Sequence, residues 1–77
     1  MTGLVLFRRE TCGLCELAED VLRQAGVADI AVRYLEDDPA LEAVYGWRIP
    51  VIRDETRGIE LDWPFDGPKL QAFLGLG

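Results

Sequence analysis

Histidine is absent from this chain of 77 residues, and its absence removes several chemistries at once. Without an imidazole there is no Ser-His-Asp or Cys-His catalysis, and none of the common His-containing zinc sites. Cysteine is scarce too: two residues are too few for the disulfide framework that supports many small secreted domains. Long apolar runs are missing, since the four apolar residues at 4–7 fall far short of the roughly 20 that span a bilayer. No basic segment, apolar stretch or small-residue cleavage site opens the sequence, so a soluble protein of the cytoplasm is expected. Positive charge is in deficit. Eight Lys and Arg stand against fourteen Asp and Glu, giving a net charge of -6 and a pI near 4.4. That balance repels phosphate backbones, and neither nucleic acid nor a membrane is expected as a partner.

What is present is enough for one core. A chain of this length buries roughly 60 to 65 per cent of its unfolded surface, which supports a single domain over residues 1–77. The apolar fraction of 49% is sufficient for packing without a structural metal. Leu4, Val5, Leu6 and Phe7 run without alternation, as in a strand covered on both faces of an α/β sheet. Leu14, Leu17, Ala18, Val21, Leu22 and Ala25 then recur at helical spacing, and Gly26 follows as a C-terminal cap. Residues 30–35 are rich in β-branched and aromatic side chains and read as a second strand, completing a βαβ unit.

Asp38 and Pro39 form an N-cap and first-turn proline for a short helix with Leu41, Val44 and Tyr45 on its apolar side, ended by Gly46. Pro50, Val51 and Ile52 begin a third strand. Turn residues at 54–58 lead to Ile59, Leu61 and Trp63, which alternate with Glu60 and Asp62 as the second strand of a hairpin. A closing helix after Asp66, Gly67 and Pro68 carries Leu70, Phe73 and Leu74 on one face. The expected order is βαβαββα.

Cys12 and Cys15 fall between the first strand and the first helix, a context that makes a Cys-x-x-Cys pair specific. A helix N-terminus carries partial positive charge and unpaired amide donors, so it stabilises a thiolate placed at its cap. The thiolate is the attacking species, and a free thiol with a pKa of roughly 8.5 is mostly protonated at neutral pH. With histidine absent, activation falls to the helix terminus and to arginine. Arg8 and Arg9 precede the pair and Arg48 could approach from the third strand, while Glu10 and Glu16 oppose them. Attack by Cys12 on a disulfide would give a mixed disulfide that Cys15, expected to be the more buried thiol, resolves. A structural disulfide and a metal site are the competing readings; the first closes too short a loop and the second lacks ligands.

Two segments give the chain its resemblance to a known family. Thr11-Cys12-Gly13-Leu14-Cys15-Glu16 after the first strand, and Arg48-Ile49-Pro50-Val51-Ile52 at the third, resemble the glutaredoxin-like branch of the thioredoxin-fold families over essentially the whole chain. The resemblance implies an α/β, thioredoxin-like three-layer fold with a four-stranded mixed sheet in the order 2-1-3-4. The first and third helices would lie on one face and the second on the other. It also implies that Pro50 is cis and faces the reactive cysteine, and that Ile49 offers its backbone to an extended substrate.

The family's Cys-Pro-Tyr-Cys centre is here Cys12-Gly13-Leu14-Cys15. Its Gly-Gly-x-Asp glutathione-binding turn is replaced by Leu61-Asp62-Trp63-Pro64-Phe65-Asp66, where only Asp66 could match. Bulky Trp63 and Phe65 in place of glycine argue against glutathione. No other cofactor is expected.

Among the remaining aromatic residues, Tyr45 and Trp47 could rim the site, although packing of the second helix is the simpler role. Glu36, Asp37 and Asp38 read as a solvated loop leading to a helix cap. The function expected is thiol-disulfide oxidoreduction by Cys12 and Cys15 in a monomer, with Arg48, Ile49 and Pro50 binding the substrate. That substrate would be a disulfide-containing protein or a low-molecular-weight thiol. A redox sensor, or a zinc or iron-sulfur module held by cysteines of two chains, would use the same pair.

Overall fold

A computed structural model describes residues 3–75. Strand β1 (Leu4–Arg8) leads into helix α1 (Gly13–Gln24), strand β2 (Ala31–Tyr34) and a 3-10 turn (Leu35–Asp37). Helix α2 (Pro39–Tyr45), the hairpin of β3 (Val51–Asp54) and β4 (Ile59–Asp62), and helix α3 (Gly67–Leu74) complete the βαβαββα order. The strands form one mixed sheet in the order β2-β1-β3-β4. β1 runs parallel to β2 and antiparallel to β3, and β4 closes the far edge antiparallel to β3.

Alternation of side chains along the central strands divides the core into two layers. Leu4 and Leu6 of β1 and Ile52 of β3 point to one face, where Ala18 and Leu22 of α1, Leu70 of α3 and Phe65 cover them. Phe7 and Val51 point to the other, against Leu35 and Tyr45, with Leu41 of α2 packed beside them. The Phe7 and Tyr45 rings stack with centroids 4.2 Å apart. Helices α1 and α3 therefore share one face and α2 takes the other, as the family resemblance implied.

The capping chemistry written in the sequence is used. Asp38 accepts the Ala40 N–H at 2.9 Å at the start of α2, and Asp66 accepts the Lys69 N–H at 2.9 Å at the start of α3. Gly26 adopts φ 78 just past α1 and donates to the Arg23 carbonyl at 3.0 Å, a left-handed step that glycine makes at least cost.

Two sequence expectations are corrected. Leu14 and Leu17 are about half exposed, and the buried face of α1 consists of Cys15, Ala18 and Leu22. The buried stripe of α1 is therefore narrower than its apolar content suggests. Leu35 does not extend β2: its carbonyl accepts the Asp38 N–H at 3.2 Å in the 3-10 turn, which swings the side chain into the core against Phe7. β2 itself is an edge strand, and all four of its residues are exposed.

Candidate active site

The parallel and antiparallel partners of β1 bring three loops to its C-terminal end. Arg8 pairs with Tyr34 in β2, so the turn after Tyr34 lies beside the loop that carries Cys12. Phe7 pairs with Val51 in β3, which puts Ile49 and Pro50 at the same end of the sheet. Pro50 is fully buried, its peptide bond with Ile49 is cis, and its carbonyl accepts the Trp63 N–H at 3.1 Å. The Trp63–Pro64 bond is also cis, a feature the sequence reading did not foresee.

Cys12 is the N-cap of α1, with extended backbone dihedrals of φ -154 and ψ 108. Its carbonyl accepts the Glu16 N–H at 3.1 Å, and its Sγ accepts the Cys15 N–H at 3.1 Å. One of the unpaired amides of the helix start is thus aimed at sulfur. The two sulfurs form a disulfide, with the Cα atoms 5.2 Å apart. Cys12 is part-exposed, whereas Cys15 is wholly buried beneath the first turn. Gly13 leaves open space around the turn, since a Cβ there would meet no atom within 4 Å.

The arginines near the pair are held by carboxylates. Arg8 is 3% exposed and donates to Glu16 at 3.1 Å, to Glu19, and to the Glu10 carbonyl at 3.1 Å. Its guanidinium lies 5.7 Å from the Tyr34 ring centre. Burial works against its charge but the two carboxylates outweigh it, and its pKa is raised. Arg9 grips Glu42 through both Nη atoms, at 2.6 and 2.5 Å, and reaches the Gly46 carbonyl at 3.3 Å. Arg48 donates to Asp62 at 2.9 and 2.8 Å and to Glu60 at 2.5 Å, and these bonds raise its pKa. Its guanidinium sits 5.0 Å from the centre of the Tyr45 ring.

The Arg48 cluster centres on a residue that sequence reasoning left as a strand-face carboxylate. Glu60 accepts from the Tyr45 hydroxyl at 2.6 Å, from Arg48, and from Arg53 at 2.9 Å. The tyrosine hydrogen bond first, then the arginines, pull its pKa down to about 2. The hairpin register places Arg53 opposite Glu60, a charge pair that could have been read from the alternation of the two strands. Nothing in the local sequence marks Tyr45 as its third partner.

Residues 3–75 match the family described as Glutaredoxin-like domain (DUF836). The chain belongs to the glutaredoxin-like family. The fold of this glutaredoxin-like chain is thioredoxin-like, with its four-stranded sheet in the order 2-1-3-4. It is similar to the X-ray structure of target protein XcR50 from X. campestris: 46% identity over 96% of this chain and 97% of that one, with a TM-score of 0.87. The solution structure of XcR50 is similar at 45% identity over 97% and 95% of the two chains, with a TM-score of 0.86. No curated protein matches.

Within the glutaredoxin-like frame, the aromatic residues of the segment at 61–66 are used for packing. Phe65 is 4% exposed in the α1/α3 core layer, and Trp63 meets it edge-on with ring centres 5.0 Å apart. Asp66 is occupied as the cap of α3. The other tryptophan behaves differently. Trp47, expected to pack α2, is 102% exposed, while Tyr45 alone takes the packing role. Beside the cysteine loop on the β2 side, Glu10, Tyr34, Glu36 and Asp37 line a cleft of about 310 Å³. Glu36 accepts the Glu10 N–H at 2.9 Å, and that bond is the main cause of its lowered pKa. Among the described residues, no group of three or more Cys, Asp or Glu is arranged to hold a metal ion, and no helix is long and apolar enough to cross a membrane.

Proposed function

We propose that the protein is a thiol-disulfide oxidoreductase in which Cys12 attacks and Cys15 resolves. The observation that carries this reading is the placement of the pair: Cys12 caps α1, part-exposed, with the Cys15 amide hydrogen-bonded to its sulfur, and Cys15 lies buried behind it. The amide and the positive end of the helix favour negative charge on the Cys12 sulfur over the same charge on Cys15.

In the reduced protein the Cys12 thiolate attacks one sulfur of a substrate disulfide. A bond forms between Cys12 and that sulfur as the substrate S–S bond breaks, and the other substrate sulfur leaves as a thiolate and takes a proton from water. Cys15 loses its proton and attacks the Cys12 sulfur, expelling the second substrate thiolate and forming the Cys12–Cys15 disulfide. The substrate gains two electrons and the protein loses two. A low-molecular-weight thiol or a dithiol protein restores the reduced pair by the reverse exchange. Ile49 and Pro50 border the site, with the Ile49 backbone as the surface along which an extended substrate lies. Arg48 acts on that border through its carboxylate partners and not as a free cation. The cysteine pair needs no further cofactor.

The test is stoichiometric. Reduced protein mixed with bis(2-hydroxyethyl) disulfide should lose both its thiols and release two equivalents of 2-mercaptoethanol per chain. Cys12→Ser should release none rapidly. A wild-type protein that leaves the disulfide intact would refute the reading.

A further inference from the structure

We propose that the substrate is a polypeptide disulfide with an apolar residue and a basic residue near its cysteine, docked on Trp47 and on the acidic cleft beside the Cys12 loop. The inference rests on the exchange reading above and gives it a substrate class. Its first ground is Trp47. A tryptophan side chain with its whole surface in water is unusual, and the rings that dominate polypeptide recognition are of this type. Trp47 lies three residues before Pro50, on the turn that the Arg9 bond to the Gly46 carbonyl ties to the cysteine loop. Leu14, between the cysteines, is 49% exposed at the same end of the sheet. Two apolar side chains thus present open surface at the end of the sheet that carries the disulfide.

The second ground is charge. Arg8, Arg9 and Arg48, which lie on the segments that lead to the pair and to Pro50, are each engaged by carboxylates, as their hydrogen bonds show. Among the described residues the arginines of these segments are thus committed to carboxylates, and Arg33 of β2 lies 3.9 Å from Asp38. The cleft on the opposite side of the Cys12 loop presents Glu10, Glu36 and Asp37, and the chain as a whole carries a charge of -6. An incoming cationic side chain is attracted there and an anionic one repelled. A polypeptide can reach Trp47 and the cleft together while its disulfide lies over Cys12.

Three disulfides separate the outcomes: a peptide with tryptophan-contacting leucine and arginine beside its cysteine, the same peptide with glutamate for arginine, and bis(2-hydroxyethyl) disulfide. The arginine peptide should exceed the glutamate peptide in kcat/KM by about tenfold at low salt, with the gap closing as salt is added. Trp47→Ala should lower the ratio of kcat/KM for the arginine peptide to that for the small disulfide by about tenfold, through KM. Glu36→Gln combined with Asp37→Asn should close the gap between the two peptides. Equal kcat/KM for the two peptides in the wild type, or a ratio untouched by Trp47→Ala, would overturn the proposal even with the small disulfide still reduced. Failure to reduce any of the three would instead overturn the exchange reading on which it rests.

Discussion

The two ends of the sheet are built from the same materials and do different things. At the C-terminal end of β1, a buried arginine, Arg8, holds the Glu10 carbonyl and the Glu16 carboxylate, one on each side of the cysteine pair in sequence. At the opposite end a buried carboxylate, Asp54, accepts the Thr56 and Arg57 N–H groups at 2.9 and 3.1 Å and the Arg57 Nε at 2.7 Å. Arg57 in turn donates to the Phe73 carbonyl and lies 5.4 Å from the Phe73 ring, fastening the hairpin turn to α3. These bonds hold the Asp54 pKa below its usual value. This end also carries a larger cavity, about 410 Å³, bordered by Leu4, Val27, Leu74 and Arg57.

Cavity size therefore does not mark the end that carries the cysteine pair. What marks it is a helix start whose cap is a cysteine, together with an exposed tryptophan. Exchange chemistry takes place at a sulfur that must be reached in line by another sulfur, and an open surface serves that better than an enclosed cavity. The same kind of polar clamp fixes the cysteine loop at one end and a hairpin turn at the other.

The largest effect expected from breaking this contrast comes from Arg8. Arg8→Met should cost about 2 to 3 kcal/mol of stability, through loss of hydrogen bonds between a buried charge and its partners. It should also slow disulfide exchange by about tenfold as the cysteine loop loses its anchor. Asp54→Ala should lower the urea midpoint while leaving the exchange rate of the folded protein unchanged. Urea denaturation and single-turnover exchange on both variants check the pair. Equal slowing by both would erase the distinction between the two ends.

A smaller effect concerns pH. Glu60 is an acid whose pKa falls from 4.5 to about 2 on folding, so the stability it contributes is present above pH 4.5 and is lost as pH falls through that window toward 2. Tyr45→Phe removes the first cause of the shift and brings the folded value back toward 4.5. The variant should lose less stability than the wild type between pH 5 and pH 2.5, measured by denaturant titration at each pH. An identical loss in both proteins would show that the tyrosine bond does not hold Glu60 ionised.

The order of the elements, the helix caps and the cysteine cap were legible in the sequence because each has a local signature, whereas the sheet order and the helix faces followed from the family resemblance. Uninterrupted apolar strands, a capping aspartate before proline, and a cysteine pair between strand and helix all act within a few residues of themselves. The fate of the arginines was not. Whether Arg8, Arg9 and Arg48 face sulfur or carboxylate depends on residues 8 to 33 positions away, such as Glu16, Glu42 and Asp62, brought near only by the fold. Trp47 and Tyr45 show the same limit at closer range. Two aromatic residues on either side of Gly46 look equivalent in sequence, yet the end of α2 turns one onto Phe7 and leaves the other in water. Leu14 and Leu17 failed for a related reason, since periodicity finds an apolar stripe but not the width of the element that covers it.

The most direct measurement is the rate of covalent capture by each single-cysteine variant, followed by intact mass spectrometry with the same disulfide substrate. Cys15→Ser, retaining Cys12 at the helix cap, should take up one substrate moiety per chain rapidly and hold it. Cys12→Ser, retaining only the buried Cys15, should remain largely unmodified over the same time. Capture by Cys12→Ser at an equal or greater rate would contradict the assignment of Cys12 as the attacking thiol.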